Sequence, residues 1–517
     1  VSVATVGLRR LGADLGAGYF RGVTPTLDLR PTELAVFAVL GVGVAILGAL
    51  RPALQAAHIA TASALKAGDI HSDQARTHTA LVWSMLALAA AALLAPPVGG
   101  LPLPGYVAIA LLLLAAVAAT PAIVRFVVAH APAVRRVPWQ VALAQIAGTV
   151  RYATLSVSAI IVSFSLMTSM AIMVTSFRDS LDAWTQKLLP ADLYVRVGYV
   201  AQTAHLDAAT ADALSRLPGV VRAERSRFAE ARLVESGRTV TLIARSPDAR
   251  RVGAALWIVA EARRAPPPHA IPIWINEAAS DLFDWRVGDK RDVSIGGRLA
   301  HTFVRGVWRD YEHQSGAIVM DHESYAALSG DRAVNTVWLW LADGVSEQDV
   351  QAAVRDTLPA GADYDLRTPG EIRRLSLAAF DRTFAVTYLL ELVAVLIGLF
   401  GIAAGMSAQV LARRGEFGAL RHLGFTRAQV AAMLGIEGAV LGAVGVIVGL
   451  AAGAVISLIL IYVVNRQSFH WSMDLSAPLG LLFALSVALV ASAALIAVLA
   501  GKQAMSGDVV GAVKEDW

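Results

Sequence analysis

Seven uncharged apolar runs decide what this chain can fold into: Leu34–Leu50, Thr79–Leu94, Gly105–Ile123, Ala153–Phe177, Leu392–Leu411, Gly438–Val464 and Leu479–Ala500. A helix needs roughly 17–25 such residues to cross a ~30 Å hydrocarbon core. The 517 residues are 56% hydrophobic and only 16% charged. Soluble domains average roughly 25% charged residues, so an ordinary soluble enzyme is excluded. A solvated disordered chain is excluded by the same apolar content. The sequence predicts a polytopic α-helical membrane protein with about seven spans. Thr79–Leu94 is the shortest run and is closed by Ala95-Pro96-Pro97; with Pro102-Leu103-Pro104 ahead of the next run, a tight helical hairpin is expected.

A formal charge of +4, from 44 Lys+Arg and 40 Asp+Glu, is too small an excess to argue for nucleic acid. Where the positives sit is more informative, because short cytoplasmic loops are enriched in Lys and Arg. Arg51, Lys66 and Arg76 follow the first run; Arg135, Arg136 and Arg151 precede the fourth; Arg413, Arg414, Arg421 and Arg427 follow the fifth. The hairpin turn at 95–104 has none, and the loop at 465–478 has Arg466 alone. These alternate if the C-terminus, with Lys502 and Lys514, is cytoplasmic and the long 178–385 insert is outside. Zero cysteines removes disulfides, thiolate metal sites and cysteine nucleophiles together.

Seven crossings counted back from a cytoplasmic C-terminus leave the N-terminus outside. Residues 1–30 begin at Val1, show no export signal and carry Arg9, Arg10, Arg21 and Arg30. We therefore expect an upstream part with further spans. An internal echo agrees with this. Gln55-Ala56 and Ala64-Leu65-Lys66 follow the first run, as Gln503-Ala504 and Ala512-Val513-Lys514 follow the last at the same spacing. Leu27-Asp28-Leu29 and Met473-Asp474-Leu475 precede the same two runs. The expected layout is the end of one repeat at 1–69, a two-span linker hairpin at 70–139, and a second repeat over 140–517. Within that repeat, 140–177 holds the first span, 178–385 an extracytoplasmic domain and stalk, and 386–517 three more spans.

The insert reads as α+β. Leu193–Val197, Val240–Ile243, Ile271–Ile275, Asp292–Ile295, His301–Val307, Ala317–Met320 and Val337–Leu341 have strand patterning, with Gly296-Gly297 as a hairpin turn. Leu206–Leu217 reads as a helix ended by Pro218-Gly219, and Glu371–Glu391 as an amphipathic stalk running into the fifth span.

No Walker-type phosphate loop, H-E-x-x-H zinc motif or Gly-x-Ser-x-Gly elbow occurs in the sequence. His313 and His322 lie near Glu312, Asp321 and Glu323, a pattern read as a solvated strand edge and not a metal site. Neither catalytic residues nor a cofactor are expected. Ser156, Ser158, Ser163, Ser165 and Ser169 in the fourth run are read as helix-packing hydroxyls. Gly445, Gly449 and Gly453 recur every four residues, preceded by Gly438 and Gly442, which lets another helix backbone come close. Titratable groups are nearly absent from span centres, with Glu391 and Glu437 at span ends; an ion-coupled carrier is disfavoured on that ground.

The sharpest segment is the run from Ala412 to Val430, ARRGEFGALRHLGFTRAQV. Phe417, Leu420 and Leu423 recur at spacing three in a short amphipathic helix punctuated by Gly424, and the arginines around them alone would fit contact with anionic membrane lipid. The run is similar to the R-R-x-E-[FI]-G-x-L-R-x-L-G-x-[ST]-x-x-x-[IV] signature of FtsX-like (MacB/LolC-type) ABC transporter permeases, with Glu437 matching the acidic residue that opens their next helix. The order of elements over 140–517, and Val287-Gly288-Asp289 ahead of a strand, resemble that family as well. The resemblance points to the ten-span subfamily with two repeats, of which the first three spans and first external domain are not in this sequence.

What the resemblance implies is a mechanotransmitting permease of the bacterial cytoplasmic membrane. A separate ABC ATPase dimer would supply ATP hydrolysis. Arg413, Arg414, Glu416, Phe417, Leu420, Arg421, Leu423 and Arg427 would contact it, Phe417 and Leu420 in an apolar groove and the arginines at its acidic rim. Family substrates include lipoproteins, peptides and hydrophobic envelope compounds, and a periplasmic adaptor or lipoprotein is a further partner the family admits. The rival reading is a membrane sensor whose external domain binds a ligand.

Overall fold

The computed structural model of the protein describes residues 31–57, 79–132, 134–197, 205–245, 256–359 and 364–505. The tail echoes at Ala64–Lys66 and Ala512–Lys514, the Leu27–Leu29 motif and the arginines of residues 1–30 lie outside them. The helices of the first half are α1 (Pro31–Ala57), α2 (Thr79–Leu93), α3 (Leu103–Ala129), α4 (Val137–Gly148), α5 (Val150–Leu188) and α6 (Ala208–Ser215). Those of the second half are α7 (Glu277–Phe283), α8 (His322–Ser329), α9 (Glu347–Thr357), α10 (Pro369–Ala412), α11 (Arg414–His422), α12 (Arg427–Ile459), α13 (Asn465–Phe469) and α14 (Leu479–Met505). A π turn at Leu460–Val464 joins α12 to α13.

Six of these, α1, α3, α5, α10, α12 with its extension, and α14, are long and apolar enough to cross a membrane. The expected seventh, α2, is a correction. Its 15 residues rise only about 22 Å at 1.5 Å each, short of the ~30 Å core. It packs against α3 as the helical hairpin that the prolines between them predict.

The insert between α5 and α10 carries ten strands among the described residues, in the order β10-β1-β9-β2-β3-β8-β5-β7-β4, with β6 pairing β2 and β7. They are β1 (Leu193–Val197), β2 (Val220–Leu233), β3 (Thr239–Arg245), β4 (Ile258–Glu261), β5 (Ile271–Asn276), β6 (Lys290–Ile295), β7 (Arg298–Trp308), β8 (Ala317–Asp321), β9 (Thr336–Leu341) and β10 (Tyr364–Arg367). Gly296 and Gly297 take φ of +56° and +80° between β6 and β7, the left-handed pair a tight hairpin turn requires. Among the described residues three cores lie within the domain, the smallest of them Ile243, Leu256, Ala317 and Val319 with Trp274 and Trp308. Leu193, Val195, Val337 and Leu339 pack with Leu214 of α6 and Val350 and Val354 of α9. Leu242, Ile273, Ile275, Val293, Ile295 and Ile318 close around Trp285.

The helix expected over Leu206–Leu217 forms only from Ala208 to Ser215. Leu206 is held by a bridge to Val334 instead, and Asp207 caps the helix by accepting from the Thr210 N–H at 3.0 Å. The stalk is a pair. Besides α10, α5 continues past Phe177 to Leu188, and both carry the domain. Outside the apolar runs the two helices are joined by Arg178–Asp381 at 3.0 Å and Arg373–Asp182 at 2.7 Å.

Candidate functional site

The corner between α10 and α12 is built around one buried ion pair. Helix α10 stops at Arg413, whose φ of −106° and ψ of 15° turn the chain out of helix. Its guanidinium reaches both carboxylate oxygens of Glu437 on α12, each at 3.3 Å, and Glu416 on α11 at 3.2 Å. The side chains of Arg413 and Glu437 are only 7% and 3% exposed. A pair this dry adds little net stability, but loss of either partner strands the other charge. The Arg413 guanidinium also lies 5.5 Å from the Phe417 ring centre. From α4, Gln145 donates to Glu416 at 3.4 Å, so four helices meet here.

Around the pair, Phe417 packs with Ala142 of α4, Val410 of α10 and Val430, Met433 and Leu434 of α12. Gly424, at φ +97°, ends the α11 turn. Thr426 then starts α12 with a capping box: its hydroxyl accepts from the Gln429 N–H at 3.2 Å, and its own N–H donates to Gln429 Oε1 at 2.8 Å. Helix α11 is thus a short crosspiece clamped at both ends.

This geometry corrects the expected disposition of two residues. Arg413 faces inward to Glu437, and Phe417 is 2% exposed inside the chain's own core, so neither presents a contact surface. The reason is angular. At 100° per residue, a spacing of three turns each side chain 60° back from the last, so the stripe winds around the helix and does not follow one face. Phe417 points in, Leu420 is half-buried, and Leu423 is 79% exposed. Glu416 and Arg427 are also exposed and Arg421 is half-buried; the backbone of Arg414 opens α11. The outward tip is therefore Leu423 with Arg421, His422 and Arg427 around it. Gln145 was not singled out from sequence, and a lone glutamine 271 positions from its partner carries no local signal.

The glycine run of α12 meets a helix of the same chain. A Cβ on Gly445 would strike Ile160 at 2.6 Å, on Gly449 Phe164 at 3.0 Å, and on Gly453 Thr168 at 2.6 Å and the Ser165 carbonyl at 2.7 Å. All four partners are on α5. Gly438 and Gly442 turn to the other side, toward Ala493 and Ala497 of α14. Helix α10 meets α5 through glycines too, but with small partners: Gly398 against Ser163, Gly401 against Ala159, and Gly405 against Ser156. Several α5 hydroxyls bond back to their own helix, Ser165 to the Val162 carbonyl and Ser169 to that of Leu166. His313 hydrogen-bonds to Asp310 at 2.9 Å, and among the described residues no group of three His, Asp or Glu side chains is arranged to hold a metal ion.

Comparison with known proteins accords with this arrangement. Residues 153–357 match the MacB-like periplasmic core domain, and residues 388–509 the FtsX-like permease C-terminal. An uncharacterized ABC transporter permease protein of Mycobacterium tuberculosis is 26% identical over 526 positions. That alignment takes in 94% of this chain, and the chain spans 60% of the relative's length. Among solved structures, the periplasmic region of MacB from Actinobacillus actinomycetemcomitans is 13% identical with a TM-score of 0.29, covering 37% of this chain and 94% of that one. The extracellular domain of the noncanonic ABC-type transporter YknZ from Gram-positive bacteria is 16% identical with a TM-score of 0.25, covering 34% and 99%. One family match takes in most of α5 and the domain that follows it, the other the three spans beyond; over both parts this multi-pass membrane protein is similar to the FtsX-like, MacB-type ABC transporter permeases.

Proposed function

We propose that the chain transmits ATP-driven motion from a separate ABC ATPase dimer to its inserted domain, and so exports or extracts a lipoprotein, peptide or hydrophobic envelope compound. The membrane is the bacterial cytoplasmic membrane, with the α11 corner and the C-terminus inside and the inserted domain outside. The distribution of Lys and Arg over the short loops supports that orientation. The observation that carries the reading is the corner itself. A crosspiece tied by a buried ion pair to two spans, with one large apolar side chain standing free at its tip, is suited to receive a push from a partner.

Leu423 is the apolar anchor in this reading, with Arg421 and Arg427 meeting an acidic rim and Glu416 holding the crosspiece to α4. A buried apolar anchor at an interface centre contributes on the order of 2 kcal/mol or more. In the full-length protein, Leu423→Asp with Arg427→Glu should abolish co-purification of the ATPase and lower its stimulated hydrolysis at least about ten-fold, with folding unchanged. Intact co-purification and stimulation would remove the docking assignment. Phe417→Asp is the contrasting variant. It buries a charge in the corner and should report as misfolding.

A further inference from the structure

The loop at 470–478, between α13 and α14, is stitched to two other parts of the molecule. On one side it meets α5. Ser476 N–H donates to the Ser176 hydroxyl at 2.9 Å, which donates back to the Ser476 carbonyl at 3.0 Å, and the Ser476 hydroxyl donates to Asp179 at 2.6 Å. Asp474 N–H donates to the Ser180 hydroxyl at 3.1 Å. Positions 176, 179 and 180 lie on one face of α5. On the other side it meets the inserted domain. Glu277 accepts from both the N–H and the hydroxyl of Ser472, at 3.0 and 2.6 Å; Arg309 pairs with Asp474 at 2.9 Å; and Tyr311 donates to the Ser472 carbonyl at 2.9 Å.

Aromatic packing closes the junction. Trp471 stands edge-on to Tyr311 at 5.4 Å, stacks on Phe469 at 5.2 Å, and exchanges hydrogen bonds with Asn465 in both directions. Burial pushes the Tyr311 phenol up to about 12, so it stays a donor at any physiological pH. Glu277, Arg309, Tyr311, Trp471 and Met473 are all buried. By contrast, outside the apolar runs the polar ties of α10 to α5 are ion pairs whose side chains are 24–48% exposed, the kind that hold weakly in water, beside Phe380 and Phe384, whose rings pack on Phe177 of α5 at 5.2 and 5.8 Å.

We propose that the 470–478 loop is a clasp that stays shut throughout the working cycle. The inserted domain, the outer half of α5 and the outer ends of α12 and α14 then travel as one body, and displacement is confined to α10. This rests on the mechanotransmission reading above. It assigns Glu277, Arg309 and Asp474 as positioning residues that decide which parts move together.

The chain contains no cysteine, so disulfide pairs can be introduced on a clean background. In the full-length protein with its ATPase, S176C/S476C would staple the clasp and R178C/D381C the stalk. Oxidised S176C/S476C should form equally with and without ATP and keep stimulated hydrolysis and transport within about two-fold of the reduced protein. Oxidised R178C/D381C should lose both at least about ten-fold, with recovery on reduction. Reversible loss of activity on stapling the clasp, or retained activity on stapling the stalk, would overturn the proposal.

A second measurement needs no ATPase. Met473→Cys, at a buried position, should react with a maleimide at least about ten-fold more slowly than Leu475→Cys, at an exposed one, in the folded protein with or without nucleotide. Equal labelling means an open clasp. If the parent protein stimulates no ATPase, the transporter reading fails, and the labelling result still decides whether the clasp is shut.

Discussion

Helix α5 is gripped differently on its two sides. Toward α12, its large side chains Ile160, Phe164 and Thr168 sit in notches left by Gly445, Gly449 and Gly453. Toward α10, glycines again line the contact, but what enters them is Ser156, Ala159 and Ser163. The first seam is keyed, because sliding one helix past the other would drive a phenyl ring or a branched side chain into backbone. The second is shallow and smooth. Both seams are close, so closeness alone does not make two helices a rigid unit; the size of what fills the notch does.

The largest effect that would test this difference lies where the smooth helix is tied to the keyed one. Arg413→Ala should lower stability by about 3–5 kcal/mol, because Glu437 is left charged and unpaired in a dry site. R413M/E437M should recover most of the loss, read as the thermal unfolding midpoint of the detergent-solubilised protein. If the single variant melts like the parent, the corner does not couple the two helices. Next, Gly453→Val should cost about 1–3 kcal/mol, since the new side chain meets the Ser165 carbonyl, which cannot rotate away. Gly401→Val, facing only Ala159 at 3.0 Å from a built Cβ, should cost less. Equal losses would break the keyed-versus-smooth distinction. Smaller again, Arg178→Ala should change stability by at most about 1 kcal/mol, with little coupling to Asp381→Ala in a double-mutant cycle, because the pair is exposed.

The smallest effect concerns pH on the clasp side. Burial alone would depress His313, but the hydrogen bond to Asp310 and the charge of that carboxylate outweigh it, and the imidazole is raised above its usual value. A group raised on folding stabilises the folded form below its unfolded value and loses that contribution as pH rises through the folded one. Asn276, which donates to Asp310, adjoins Glu277 of the clasp. The external domain should therefore loosen as pH rises past neutrality, and His313→Asn should flatten that slope in tryptophan-fluorescence melts.

Much of this was legible in the sequence, for reasons that differ by element. The spans and most strands declare themselves because apolar runs and alternation are local. The glycine spacing of α12 announced a close backbone, and its partner carried the matching interval, since Ile160, Phe164 and Thr168 also recur every four residues. Strand β2 escaped notice because Val220–Leu233 carries six charged residues, Arg222, Glu224, Arg225, Arg227, Glu230 and Arg232. Cross-strand and neighbouring partners absorb several of them, Arg222 and Arg245 on Glu224 and Arg227 on Asp331, so burial leaves no alternating signature. The clasp was invisible for another reason. Arg309 and Asp474 are 165 positions apart in loops and Glu277 opens α7, so only folding brings them together. The inward turn of Phe417 could have been foreseen by plotting the stripe at 100° per residue instead of counting every third position.

Helix α10 is one unbroken element of 44 residues with proline only at its first position, so it has no proline kink. At 1.5 Å per residue it is about 66 Å long, a stiff lever with one end beside the inserted domain and the other at the Arg413 corner. A tilt of about 5° about the Arg413 corner sweeps the end beside the inserted domain through about 6 Å, roughly the height of one helical turn. A modest rotation is thus magnified by length alone into a displacement the size of a side chain, without any part of the helix having to unwind.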